Sequence, residues 1–235
     1  MKMKKLLFIT PLLLLTALLS FGQEVTKKTS PKFFIAFTGG TAVPLGAFAS
    51  FKTDSASDAG LAKVGYNLNL HAGYNVSETF GIASTIFYSK FQLNQDAVKK
   101  ILSGSSSSIS NGSANHWQYW GILAGPMGTV KLSDDIFMDF KLLGGYARAN
   151  MPVIRFEVDG LPKTNVVTPE RWSDAFAWQI GTDLRYNFSP NACFFTNLDY
   201  NYMRPKWSFN LNSETINLEQ KMGVLDINLG LGLTF

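Results

Sequence analysis

Cysteine occurs once and histidine twice in this chain of 235 residues. One cysteine excludes an internal disulfide framework and a thiolate metal cluster. Two histidines argue against a multi-histidine metal site. Charge is also scarce, at 16%, against about 25% in an average soluble domain. With hydrophobic residues at 46%, disorder is not the explanation. No glycine-rich loop follows a strand and opens a helix, so nucleotide binding has no support. What the chain has in quantity is aromatic side chains and glycine: 19 Phe, 8 Tyr, 5 Trp and 20 Gly.

The first 22 residues, MKMKKLLFITPLLLLTALLSFG, begin with Lys2, Lys4 and Lys5. An apolar core from Leu6 to Leu19 follows, and Ser20 and Gly22 supply a small-x-small cleavage pattern. This reads as a secretory signal peptide over residues 1–22. The apolar stretch falls short of the roughly 20 residues of a helical span, and Pro11 interrupts it. Its removal takes away three lysines and leaves 18 basic and 17 acidic residues, net +1. Nothing strongly basic remains to attract nucleic acid. No later run reaches the length of a transmembrane helix. Residues 23–32 are polar and read as a short periplasmic lead.

From residue 33 onward the dominant signal is alternation with period two, which marks strands with unlike faces. The last segment is the clearest. Leu225, Ile227, Leu229, Leu231, Leu233 and Phe235 alternate with Asp226, Asn228, Gly230, Gly232 and Thr234. The same split recurs over Phe176–Phe188, Phe194–Tyr202, Ile136–Tyr146 and Tyr66–Tyr74, and less cleanly over Phe33–Val43 and Thr79–Phe91. The segment from His116 to Val130 is apolar on both faces. About eight strands are predicted. Tight turns rich in turn formers are expected at residues 75–78, 133–135 and 189–191. Long polar connections are expected at about 46–61, 93–115, 152–173 and 208–219. The second contains a serine-rich low-complexity stretch, Ser103–Ser113, preceded by one or two possible helical turns over Asp96–Leu102.

The polarity of the two faces decides the solvent. Asp139, Lys141, Asp183, Arg185, Asp199 and Asp226 fall on faces that also carry glycine and small residues. The opposite faces carry Leu, Ile, Phe, Tyr and Trp. Bulky apolar side chains suit lipid, and small ones suit a crowded interior. Eight strands leave a lumen that side chains nearly fill, and opposite charges within it can pair. In hydrocarbon every backbone group needs an internal partner, so the sheet must close. The fold class predicted is therefore all-β, an eight-stranded antiparallel up-and-down transmembrane β-barrel over residues 33–235. Aromatics near strand ends (Phe33, Tyr74, Phe80, Tyr88, Trp117, Phe137, Phe188, Trp207 and Phe235) are expected in interfacial girdles.

On these residues the chain resembles small outer-membrane β-barrel proteins of the eight-stranded OmpA/OmpX-like, porin-like superfamily. The most specific element is the ending, Val224–Phe235, an alternating strand closed by a terminal Phe. It resembles the signal by which outer-membrane assembly machinery selects its clients, so Phe235 is implied as an assembly signal. Gly39-Gly40 followed by Val43-Pro44-Leu45-Gly46 resembles the exit of the first strand in such proteins. The resemblance implies residence in the outer membrane of a Gram-negative envelope, with lipid and the assembly machinery as partners, and no peptidoglycan-binding domain is expected after the last strand. A soluble lipocalin-like barrel is the architectural rival, but no glycine-x-tryptophan stands near the first strand.

The six inward charges are expected to form a structural ion-pair plug. His71 is expected inside as a hydrogen-bonded residue and Cys193 as an inert buried thiol. No catalytic, cofactor-binding or metal-ligating residues are expected. Ser113 and His116 lie near one another, but Ser113-Ala-Asn-His116 departs from the His-x-Ser-Asn pattern associated with lipid A deacylases. The leading functional expectation is a structural or surface-interaction protein with long loops outside, an unknown surface ligand and no nucleic acid partner. Trp117, Trp172 and the segment from Asn150 to Arg155 are the places to look. The alternatives are an accessory subunit of an envelope secretion or assembly complex, a lipid A-modifying barrel and, more weakly, a pore.

Overall fold

The computed structural model describes residues 32–50, 59–97, 109–158, 171–211 and 214–235. The predicted signal peptide, nearly all of the lead, and Ser103–Ser108 lie outside the described residues. The predicted helical turns are described only to Ala97, where residues 95–97 are helical. No described helix is long and apolar enough to cross a membrane.

Eight strands close a barrel in the order β1-β12-β9-β8-β6-β5-β3-β2. They are β1 (Phe33–Leu45), β2 (Gly65–Asn75), β3 (Phe80–Phe91), β5 (Trp117–Lys131), β6 (Ile136–Met151), β8 (Arg171–Ser189), β9 (Ala192–Met203) and β12 (Met222–Thr234). Every neighbouring pair is antiparallel. The first and last strands seal the wall, from Phe34↔Thr234 to Leu45↔Gly223, so no edge is left unpaired in the barrel. The segment that is apolar on both faces becomes β5.

At one end, here the turn end, the strands are joined tightly. Ser77 and Ser133 hydroxyls accept the backbone N–H of Phe80 at 3.0 Å and of Ile136 at 3.2 Å, which closes the turns. At the other, loop end, the connections build structure of their own. β4 (Ile109–Ala114) and β7 (Ile154–Val158), from two different loops, pair as one two-stranded sheet. β10 (Lys206–Leu211) and β11 (Glu214–Glu219) form another. These four strands were not predicted. The first connection starts at Gly46, whose φ of +60° suits glycine. Backbone bonds from Gly60 N–H to Ala47 O (2.9 Å) and from Ala62 N–H to Phe48 O (3.0 Å) then fold it back over the barrel mouth.

Alternation becomes in-and-out along each barrel strand. The inward positions of β9, for example, are Cys193, Phe195, Asn197, Asp199, Asn201 and Met203, all buried. The outward positions are apolar all round: Phe37, Leu70, Ile86, Ile122, Leu142, Ile180, Leu198 and Leu229, one from each barrel strand, are exposed. Leu229 is 72% exposed while Arg185 is 0% exposed. A soluble barrel has the reverse arrangement. An exterior of this kind needs acyl chains against it, and strands of 11 to 19 residues are long enough to cross at a tilt. The chain is built as an outer-membrane-type barrel.

Candidate functional site

Two regions could carry function: the lumen, which holds the ionic groups, and the loop end, which holds the extra strands.

The lumen is layered. Nearest the turn end, Phe34, Phe137 and Phe195 surround Arg185. The guanidinium sits 4.2 Å from the Phe34 ring centroid and 5.4 Å from that of Phe137, close enough for cation–π attraction in a dry setting. His71 stacks on Phe195 at 5.1 Å. Its ring nitrogens meet the hydroxyls of Thr38 and Thr85, each at 3.1 Å.

The middle layer holds the charges. Arg185 grips Asp139 through two bonds, Nε to Oδ2 at 2.6 Å and Nη2 to Oδ1 at 3.0 Å. Thr129 donates to the same carboxylate at 2.6 Å. Lys141 Nζ lies 2.6 Å from Asp183 and 3.0 Å from Asp199. The Asn197 amide donates to Asp199 at 2.5 Å. The sheet register explains these contacts. Asn197, Asp183, Asp139 and Thr129 are successive Cα partners across β9, β8, β6 and β5, so one polar row runs round the inner wall. Asp226 stands on the loop-end side of this layer and accepts from the Asn201 amide at 2.7 Å. All six predicted inward charges therefore face the lumen and are buried.

At the loop end the lumen closes over again. Phe91 stacks on Tyr119 at 5.5 Å, and Phe48, carried in by the first connection, lies 5.2 Å from Phe91 and 5.6 Å from Trp117. Trp117 reaches Trp207 at 6.0 Å and donates its indole N–H to Gly60 O at 2.8 Å. Met203 and Met222 are fully buried beneath. The charged layer is thus sealed between two apolar caps.

This corrects the expected girdle. Trp117, Phe137 and Trp207 are buried, at 6%, 2% and 3% exposure; they are caps of the lumen and not lipid-facing rings. Phe137 shares the parity of Asp139, so period two itself puts it inside. Phe33, Tyr74, Phe80, Phe188 and Phe235 are exposed at the turn end, with Phe33 and Phe235 rings 5.8 Å apart. At the loop end Trp120 meets Tyr146 at 5.8 Å. There Arg148 lies 3.3 Å from Asp174 and 5.8 Å from the Trp172 ring.

The loop-end hairpin is held partly by charge. Glu219 pairs with Lys206 at 3.2 Å and with Arg204. Desolvation works against ionisation, but the hydrogen bonds and charges of Lys206 and Arg204 outweigh it and hold this carboxyl below its ordinary pKa. Trp207 N–H donates to Arg171 O at 3.0 Å, and Ser173 Oγ donates to Lys206 O at 2.5 Å. The hairpin is therefore tied down onto β8. Ser113 lies in β4 opposite Arg155, and His116 lies just before β5. Cys193 is buried at the turn end, its sulfur against Gly232. Among the described residues no group of three or more His, Cys, Asp or Glu side chains gathers as a metal site.

No protein-family model and no curated protein matches this chain. Several solved structures are similar in overall shape. Ail, the attachment invasion locus protein of Yersinia pestis, aligns over 89% of this chain and 100% of its own at 16% identity and a TM-score of 0.42. Neisserial surface protein A aligns over 88% and 99%, at 13% identity and a TM-score of 0.43. The outer-membrane protein OprG from Pseudomonas aeruginosa aligns over 90% and 99%, at 13% identity and a TM-score of 0.49. The architecture rests on the strand register and the apolar exterior described above, not on these likenesses.

Proposed function

We propose that this chain is a non-conducting, non-enzymatic outer-membrane scaffold whose loop end faces outward and engages a ligand at the cell surface. One observation carries the reading: the lumen is shut by aromatic caps at both ends, while the loops are built into paired strands and fastened to the rim. A transport path would leave the charged layer open to water. A passive barrel has no use for a β4–β7 sheet drawn from two separate loops. Loops on a rigid scaffold are where binding sits.

Two measurements test it. Protease added to intact cells is expected to cut within the loop-end connections and leave the barrel strands whole; cleavage only after permeabilisation would refute outward loops. The purified chain in planar bilayers is expected to give no unitary current. Steady channel openings would refute the sealed lumen.

A further inference from the structure

The caps enclose an ionic balance that does not close. Four aspartates, Asp139, Asp183, Asp199 and Asp226, face two cations, Lys141 and Arg185, all six buried in the barrel. Arg185 is committed to Asp139, and Lys141 to Asp183 and Asp199. Asp226 has an amide partner, Asn201, on one oxygen only; its Oδ1 is unpartnered among the described residues.

Asparagines flank this carboxylate. Asn201 spends its N–H on Asp226, leaving its own Oδ1 unpartnered. Asn228 lies two residues along the same strand on the same face, and neither atom of its amide has a partner. Its Oδ1 leans across Gly40, 2.5 Å from where a Cβ would stand. On the far side of Gly40, in register, is Asn67, whose amide reaches toward Asp226 and whose own Oδ1 is unpartnered. The Tyr119 hydroxyl faces Ser89, its neighbour across the sheet, and Asp226 acts on it through charge alone. Asn67, Asn201, Asn228 and Tyr119 are each more than nine-tenths buried. Unpartnered buried amide atoms are costly, and here they gather about a carboxylate reached only by the charge of Lys141, which is already paired with Asp183 and Asp199.

We propose that the lumen holds one hard cation, an alkali or alkaline-earth ion, at Asp226. The ion is ligated by carboxylate and amide-carbonyl oxygens of Asp226, Asn67, Asn201 and Asn228. An all-oxygen set with no sulfur or imidazole selects this class. Gly40 is the small residue that lets Asn67 and Asn228 face one another. The ion enters as the barrel closes and is then held beneath the loop-end cap.

The test refolds the chain from urea into detergent in separate chloride salts of sodium, potassium, magnesium, calcium and choline, followed by gel filtration into choline chloride. Mass-spectrometric metal analysis is expected to find about one retained ion per folded chain in at least one of the metal salts. Asp226→Asn is expected to retain none, and Asp174→Asn, changed on the outer rim, to match the unaltered chain. The midpoint of thermal unfolding of the unaltered chain is expected to be higher in the retained cation than in choline. Equal metal content in the unaltered chain and Asp226→Asn would overturn the proposal. Should that variant fail to fold, an unfolding midpoint for the unaltered chain that is the same in all five salts would overturn it, pointing to a protonated carboxyl and trapped water only.

Discussion

The carboxylate of Asp199 lies over Gly181, in the space that a side chain there would fill. Gly181 is the Cα partner of both Asp199 and Lys141, so it separates the two charges by one strand. Its missing Cβ is what lets Asp199 reach across to Lys141 at 3.0 Å. A glycine in the middle of a strand ordinarily weakens it. Here it is the opening through which an ion pair spans three strands.

Gly181→Ala should therefore push Asp199 off Lys141 and leave a buried carboxylate poorly paired. Losing one partner of a buried pair costs about 3–5 kcal/mol, and part of that should appear as a lower urea midpoint for the chain folded in lipid, followed by tryptophan fluorescence. Gly128→Ala is the control, because a Cβ there would meet only Thr79 O at 3.8 Å. It should stay within roughly 0.5 kcal/mol of the parent. Equal effects at the two glycines would mean that strand propensity, not the ion pair, explains Gly181.

Asp139 and Arg185 give a second test of the plug. Either Asp139→Leu or Arg185→Met alone strands a charge in a dry layer and should destabilise by about 3–5 kcal/mol. The double variant removes both charges and should recover most of that loss. A double-mutant cycle in urea reads the coupling directly. A double variant as unstable as the sum of the two singles would show that the pair has no energetic identity.

Much of this arrangement is legible in the residues. The parity of Asp139, Lys141, Asp183, Arg185, Asp199 and Asp226 against Phe140, Leu142, Leu184, Tyr186, Leu198 and Ile227 carries the barrel, its inside and its outside. Gly181 and Gly40 are visible as small residues, but not as openings, because that requires knowing which strands flank them. Trp117 is less legible still: β5 is apolar on both faces, so parity has nothing to contrast. The β4–β7 sheet leaves no mark in the sequence. Ile109–Ala114 has no alternation, and its partner lies in a different loop, beyond two barrel strands. Pairing of that kind is set by the barrel bringing loop ends together, not by any local pattern.

Phe235 sits at the end of β12, with its N–H bonded to Phe33 O at 2.9 Å and its ring exposed. The backbone seals the barrel; the ring faces outward beside Phe33. If the ring acts as an address for assembly, Phe235→Ala should lower the amount of barrel inserted in cells several-fold. The same variant should refold in detergent to nearly the parent yield, since the backbone bond is untouched. Loss of refolding in detergent to the same degree would assign the ring a structural role instead.

The hairpin of β10 and β11 should respond to acid. The Glu219 carboxyl is held below its ordinary value by Lys206 and Arg204. Its contribution is thus present above the unfolded carboxyl range and is lost as pH falls through the lower, folded value. The effect is small at an exposed pair and is screened by salt. Amide exchange across Lys206–Glu219, corrected for the intrinsic rate, should quicken below about pH 4, and Glu219→Gln should abolish that dependence.

The outer wall supplies the sharpest contrast with a soluble barrel. Leu229 lies mid-strand on β12 and is 72% exposed, whereas Phe33 lies at the turn-end rim. Arginine at the midplane of a lipid-facing barrel costs about 2–4 kcal/mol, falling to about 0–1 kcal/mol near the interface. Leu229→Arg should therefore lower stability in vesicles far more than Phe33→Arg. The ordering depends on acyl chains: in water, an exposed leucine replaced by arginine on an intact strand is close to neutral or solubilising. Comparing both variants by urea unfolding in bilayers of fixed thickness reads depth directly. If the two arginines cost the same, Leu229 is not at the hydrocarbon centre, and the barrel's tilt or its immersion must be redrawn.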